Sequence, residues 1–182
     1  MRKSEKPASQ VFDLYWLGYL LTGDRERSVQ AVIETIEMPD AANPFFESWM
    51  ATWARKICIA KVIGYVTPNM SAPELRNRLR RLQAEAGRSS KSGIDPAAGK
   101  AELERALMAI DPFPRCALLL SVFERLATED IGIMLNADRE SVKTATAIGL
   151  IELTRNLARD RESRAAGLAR CASYQTLQQM IA

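Results

Sequence analysis

The sequence predicts an all-α protein of two small helical domains joined by a linker. Three observations carry that prediction. Apolar residues recur at three- and four-residue spacing along most of the 182 residues, the period of amphipathic helices. No stretch shows the alternation of a half-buried strand. Composition breaks between residues 67 and 100, where Pro68, Pro73, Gly87, Gly93, Pro96 and Gly99 punctuate the chain. The expected division is a disordered N-terminus over 1–10, a helical domain over 11–66 and a basic linker over 67–100. A second helical domain over 101–160 and a helical tail over 161–182 follow.

In the first helix Val11, Phe12, Leu14, Tyr15, Leu17 and Leu21 form a broad apolar face. Thr22-Gly23-Asp24 then reads as a stop followed by a start, with Gly23 past a helix C-terminus and Asp24 as an N-cap. Val29, Val32, Ile33 and Ile36 define an amphipathic second helix. Pro39, Asp40, Asn43 and Pro44 break the chain into a loop. A third helix places Phe46, Trp49, Met50, Trp53 and Ile57 on one stripe and is expected to stop near Ile63, before Gly64.

Within the linker, Glu74 to Ala86 reads as a short helix with Leu75, Leu79 and Leu82 on one side and Arg76, Arg78, Arg80 and Arg81 elsewhere. Gly87 to Gly93, rich in serine, reads as flexible. The second domain opens with a helix carrying Leu103, Ala106, Leu107 and Ile110. Asp111 to Pro114 breaks it, and Pro114 suits the first turn of the next helix, which carries Leu118, Leu119, Val122 and Leu126. Thr128 is the expected cap of a short helix with Ile131, Met134 and Leu135; Asn136-Ala137 is a turn; Asp138 caps a last helix from Arg139 to about Leu157. Two helices across such a tight turn are a helix-turn-helix. Gly149 inside the last helix costs about 1 kcal/mol against Ala, and its expected return is close approach of another helix. The tail from Arg161 reads as a further helix through Leu168, Cys171, Tyr174 and Ile181.

Composition narrows the chemistry. There is no histidine, which removes His-based general bases, Ser-His and Cys-His nucleophiles and His-containing metal sites. Cys58, Cys116 and Cys171 are dispersed, which argues against a structural zinc site and suits a reducing compartment. Asp13, Glu34 and Glu37 are scattered carboxylates without an acid/base pair. No enzyme activity, cofactor, metal or small-molecule substrate is therefore expected. The charged, polar start lacks a signal peptide's apolar stretch, and no apolar run reaches membrane-spanning length. The expectation is a soluble cytoplasmic protein without a membrane partner.

Three stretches, in order and at the right spacing, resemble a known family. Leu21-Thr-Gly-Asp24 matches its turn between the first two helices, and Glu34-Thr35 the end of its Gln-Glu-Thr motif. Phe46-Glu-Ser-Trp49 through Trp53-Ala-Arg55-Lys56 matches its FxxWLxxIARN pattern. Leu103 to Leu153 matches its second domain, including Ala117 to Leu120, Glu129 to Ile131 and Ser141 to Thr144. Over roughly Val11 to Leu157 the chain resembles the extracytoplasmic-function sigma factors of bacterial RNA polymerase, group 4 of the sigma-70 family. The acidic run of that family's second helix is replaced here by Arg27 to Thr35, and its basic recognition helix by a run with Lys143 alone.

The resemblance implies partners and sites. Core RNA polymerase and promoter DNA are the implied partners. Asn43 and Phe45 fall in the loop that captures a flipped −10 base, while Phe46 lies on the apolar stripe and reads as core. Arg55 and Lys56, at the end of the third helix, either track DNA phosphates or are solvated charges. In a helix-turn-helix the N-terminal residues of the second helix face the major groove. Arg139 and Lys143 are thus candidates for guanine or phosphate contact, and Ser141 and Thr144 for supporting phosphate contacts; an ordinary packing helix with a solvated face is the alternative. The four arginines of the linker read as a solvated face or as a phosphate or RNA contact. Net charge runs 0, +4, −3 and +2 over 1–66, 67–100, 101–160 and 161–182, whereas duplex-binding modules are normally basic. Two functions stay open. One is a sigma-factor-like protein binding core polymerase and −10/−35 promoter DNA. The other is a degenerate sigma mimic that binds an anti-sigma factor or polymerase without promoter recognition.

Overall fold

The computed structural model describes the backbone of residues 7–36, 47–66, 71–87 and 99–181, and their side chains apart from those of 7–10, 47–51, 53 and 163–181. The fold is all-α, with no strand among the described residues. Its helices are α1 (Pro7–Thr22), α2 (Arg25–Ile36), α3 (Glu47–Val66), α4 (Ala72–Gly87), α5 (Lys100–Met108), α6 (Pro112–Val122), α7 (Thr128–Leu135) and α8 (Arg139–Ile181).

The α1–α2 corner follows from its residues. Gly23 has φ +73°, a left-handed value that glycine adopts without strain. Its N–H donates to Tyr19 O at 2.7 Å. Asp24 Oδ1 then accepts the Glu26 N–H at 2.9 Å and the Arg27 N–H at 3.2 Å, which caps α2 as its position foretold. The α2–α3 contact is tied by Lys61, which donates to Glu34 Oε2 at 2.6 Å, and Thr35 Oγ1 donates to Ala31 O at 2.6 Å. Glu34 thus joins α2 to α3, while the buried Thr35 bonds within its own helix.

In the second half α6 and α8 form the central pair, with α4, α5 and α7 also against α8. Gly149 permits that pairing: a Cβ there would lie 2.7 Å from Pro114 O and 3.0 Å from Leu118 Cβ. The close approach expected of this glycine is what the structure has.

The two halves share one core. Leu14, Leu17 and Leu21 of α1, Cys58, Ile59 and Val62 of α3, Leu75 and Leu79 of α4, and the buried faces of α5 to α8 form a continuous apolar cluster. α1 reaches α5 and α6, and α3 reaches α7. At the joint sits Arg115, only 4% exposed. Its Nη2 donates to Leu21 O at 3.4 Å, and its Nη1 to Met108 O at 3.3 Å and Ile110 O at 3.5 Å. The Leu21 and Met108 carbonyls lie at the C-terminal ends of α1 and α5, where the helix dipole is negative, and Ile110 follows just beyond α5. Cys116 Sγ donates to the same Leu21 O at 3.4 Å.

Several expected boundaries differ. α1 starts at Pro7, inside the stretch expected to be disordered. α3 runs through Gly64 to Val66; Gly64 is exposed with open space around it, so nothing forces a stop. Thr128 is the first residue of α7, and Ala127 holds the cap position without a side-chain bond. α8 continues past Leu157 as one helix of 43 residues, about 65 Å long. Asn156 Nδ2 donates to Ala106 O at 3.0 Å and Arg105 pairs with Asp160 at 3.4 Å. α8 is therefore still docked on α5 where a break was expected. Among the described residues no helix is long and apolar enough to cross a membrane.

Candidate nucleic-acid interface

α7 and the start of α8 form the paired-helix unit. Asn136 adopts φ 49° and ψ 49°, a conformation that asparagine tolerates better than most residues. It closes α7, and the Ala137 N–H donates to Gly132 O at 2.9 Å. Asp138 Oδ1 accepts the Ser141 N–H at 2.7 Å and caps α8. That hydrogen bond, with a smaller one from the Ser141 side chain, holds the Asp138 carboxyl below the usual aspartate range. Between the two helices lies an open concavity of about 480 Å³ bordered by Thr128, Glu129, Ile133, Asn136 and Arg139.

Of the four candidates on α8, Arg139 and Lys143 are exposed and, four residues apart, share one face. Arg139 Nε lies 3.3 Å from Glu129 Oε1, with both side chains well exposed. Thr144 is half-buried. Ser141 is buried, at 4%, and bonded to Asp138; it serves the cap and is turned away from any phosphate. The exposed face continues through Ala147, Leu150 and Ile151, which are apolar.

Arg55 takes an unexpected partner. Its Nε and Nη2 donate to Glu124 Oε2 and Oε1, both at 2.6 Å. This is the two-pronged geometry that a guanidinium makes with a carboxylate. It raises the Arg55 pKa and clamps α3 to the segment between α6 and α7. Lys56 beside it is exposed and unpaired among the described residues. Arg55, Lys56, Glu124, Leu126, Ile133 and Met134 border a cavity of about 380 Å³ between α3 and α7. Ile133, 81% exposed, borders this cavity and the α7–α8 concavity alike. The structure therefore sets the α3 candidates and the α8 candidates on two sides of α7. Asn43 and Phe45 lie outside the described residues.

Two of the four arginines of α4 are also engaged. Arg76 Nε lies 3.3 Å from Asp138 Oδ2, and Arg78 pairs with Asp111, the N-cap of α6. The basic linker thus meets the acidic second half at the starts of its two main helices. Sequence reasoning missed Glu124, Glu129 and Asp111 as partners; the opposite net charges of the two segments were the one available signal.

Groups of His, Cys, Asp or Glu that could hold a metal ion are not found among the described residues. Compared with known proteins, the chain matches no family model, no curated protein and no solved structure.

Proposed function

We propose that the chain is a sigma-factor-like protein of bacterial transcription initiation, which joins core RNA polymerase and presents α8 to promoter DNA. The observation that carries this reading is the α7–turn–α8 unit with Arg139 and Lys143 exposed on one face at the start of its second helix. That is where a helix-turn-helix reads a major groove. The order of the three sequence stretches, with the Trp-containing α3 ahead of the reader, supports a first unit that opens the −10 region. The polymerase would supply the catalysis.

A second reading is favoured by a specific observation. Arg55, Arg76, Arg78 and Arg139 each face a carboxylate of this same chain. Guanidiniums already answered by carboxylates neutralise fewer phosphates. In the mimic reading the chain binds polymerase or an anti-sigma factor and regulates by competition. Co-purification with core polymerase followed by transcription from the promoter of its own gene separates the two. The sigma reading expects a salt-sensitive, promoter-specific transcript. Association with polymerase without any such transcript supports the mimic, and no association with polymerase at all removes the sigma reading.

A further inference from the structure

The arginines of α4 are more than the linker of a reader needs, and their placement beside α8 gives them a use. The run from Glu140 to Leu150 holds one cation, Lys143, and Arg139 is paired with Glu129. The 101–160 segment is −3 overall. A helix-turn-helix so placed needs cations from outside itself to hold a phosphate backbone.

α4 packs on α8 through Leu75, Leu79 and Ala86, which are buried. Arg76 and Arg80, four residues apart, fall on one flank of the helix. Arg81 follows on the outward side, and all three are exposed. The Arg76–Asp138 pair sets this flank at the first turn of α8. Arg80 and Arg81 have no ion-pair partner among the described residues. Arg78, by contrast, is committed to Asp111.

We propose that the outward face of α4, carrying Arg76, Arg80 and Arg81, is a second phosphate-contacting surface for duplex nucleic acid, set beside the start of α8. The proposal rests on the helix-turn-helix reading of α7 and α8. A guanidinium matches a phosphate with two parallel N–H donors. The Arg76–Asp138 pair is solvent-exposed, so exchanging Asp138 for a phosphate costs little. α4 has no aromatic residue, hence no platform on which the bases of a single strand would stack. A rigid helix flanking the reader suits the backbone of a duplex, which it positions without reading sequence.

The test uses the full chain, a labelled duplex of arbitrary sequence and a single-stranded RNA of equal length, titrated by fluorescence anisotropy from about 50 to about 200 mM salt. The variants are R80Q/R81Q and, as a control in the reader, K143Q; all three side chains are exposed, so the unfolding midpoint should not move. Each phosphate contact contributes about 0.9 to the slope of log affinity against log salt. R80Q/R81Q should therefore lower that slope by about 1.8 for the duplex. An unchanged slope overturns the proposal. If K143Q weakens binding while R80Q/R81Q is silent, the α4 surface fails and the reader stands. If R80Q/R81Q lowers the slope while K143Q is silent, the surface stands and the reader is in question. Failure of the wild-type chain to bind the duplex, or its preference for the single strand, overturns the surface.

Discussion

Gly23, exposed in the α1–α2 turn, backs onto the buried guanidinium of Arg115, and each constrains the other. A Cβ on Gly23 would lie 3.0 Å from Arg115 Nη2 at a φ of +73°. Gly23→Ala combines backbone strain with displacement of the guanidinium, and should cost about 1 to 2 kcal/mol in chemical denaturation. The neighbouring Cys116 is completely buried, and burial pushes its thiol up to about 12. Because the thiolate is the reactive form, Cys116 should resist alkylation in the folded chain and label only on unfolding, as peptide mass spectrometry would show. Roles set by local chemistry were legible: Gly23, Asp24 and Asp138 follow turn and capping rules that span three or four residues. The burial of Arg115 was not, because its partners are backbone carbonyls up to 94 residues away and carbonyls carry no side-chain signature.

The helices show the same contrast between local and distant causes. Gly149 was legible as a point of close approach because a glycine inside a helix carries a propensity cost. Gly149→Ala would recover about 1 kcal/mol of propensity. It also forces Pro114 O, a backbone atom 2.7 Å from the new Cβ, to shift. Overpacking of that kind costs up to about 3 kcal/mol, so a net loss of about 1 to 2 kcal/mol is expected in thermal unfolding. Asp138 caps α8 with its carboxyl held below the ordinary range. A depressed carboxyl contributes its full stability above the ordinary aspartate range and loses it as pH falls through the lowered value. Asp138→Ala should therefore cost about 1 kcal/mol near neutrality and less in strong acid, where the neutral carboxyl can still accept the Ser141 N–H but no longer carries its charge, which denaturation across pH would check. The extent of α8 was not legible. Nothing from Leu157 to Glu162 breaks a helix, and the contacts that hold it there, Asn156 to Ala106 and Asp160 to Arg105, come from α5.

At the scale of the whole chain the all-helical class was legible in the sequence, while the way the helices assemble was left open by it. The composition break suggested two helical domains joined by a linker without saying whether they pack together; α1 docks on α6 and α3 on α7 within one continuous core. Calorimetry should show one cooperative transition, where independent units would give two. The pairs that seal this assembly join residues far apart in sequence, Arg55 and Glu124 by 69 positions, and no local pattern announces them. One of them engages a candidate residue: Arg55, read from the sequence as a phosphate contact or a solvated charge, is held by Glu124. The joint at Arg115 has a different character from these seams. Its guanidinium keeps its proton at any physiological pH and is gripped by uncharged dipoles, away from mobile ions. Raising the ionic strength should accordingly dissect the molecule from the outside inward. The exposed Arg76–Asp138 and Arg139–Glu129 links slacken first, the half-sheltered Arg55–Glu124 clamp later, and the carbonyl-bound pin at the centre hardly at all.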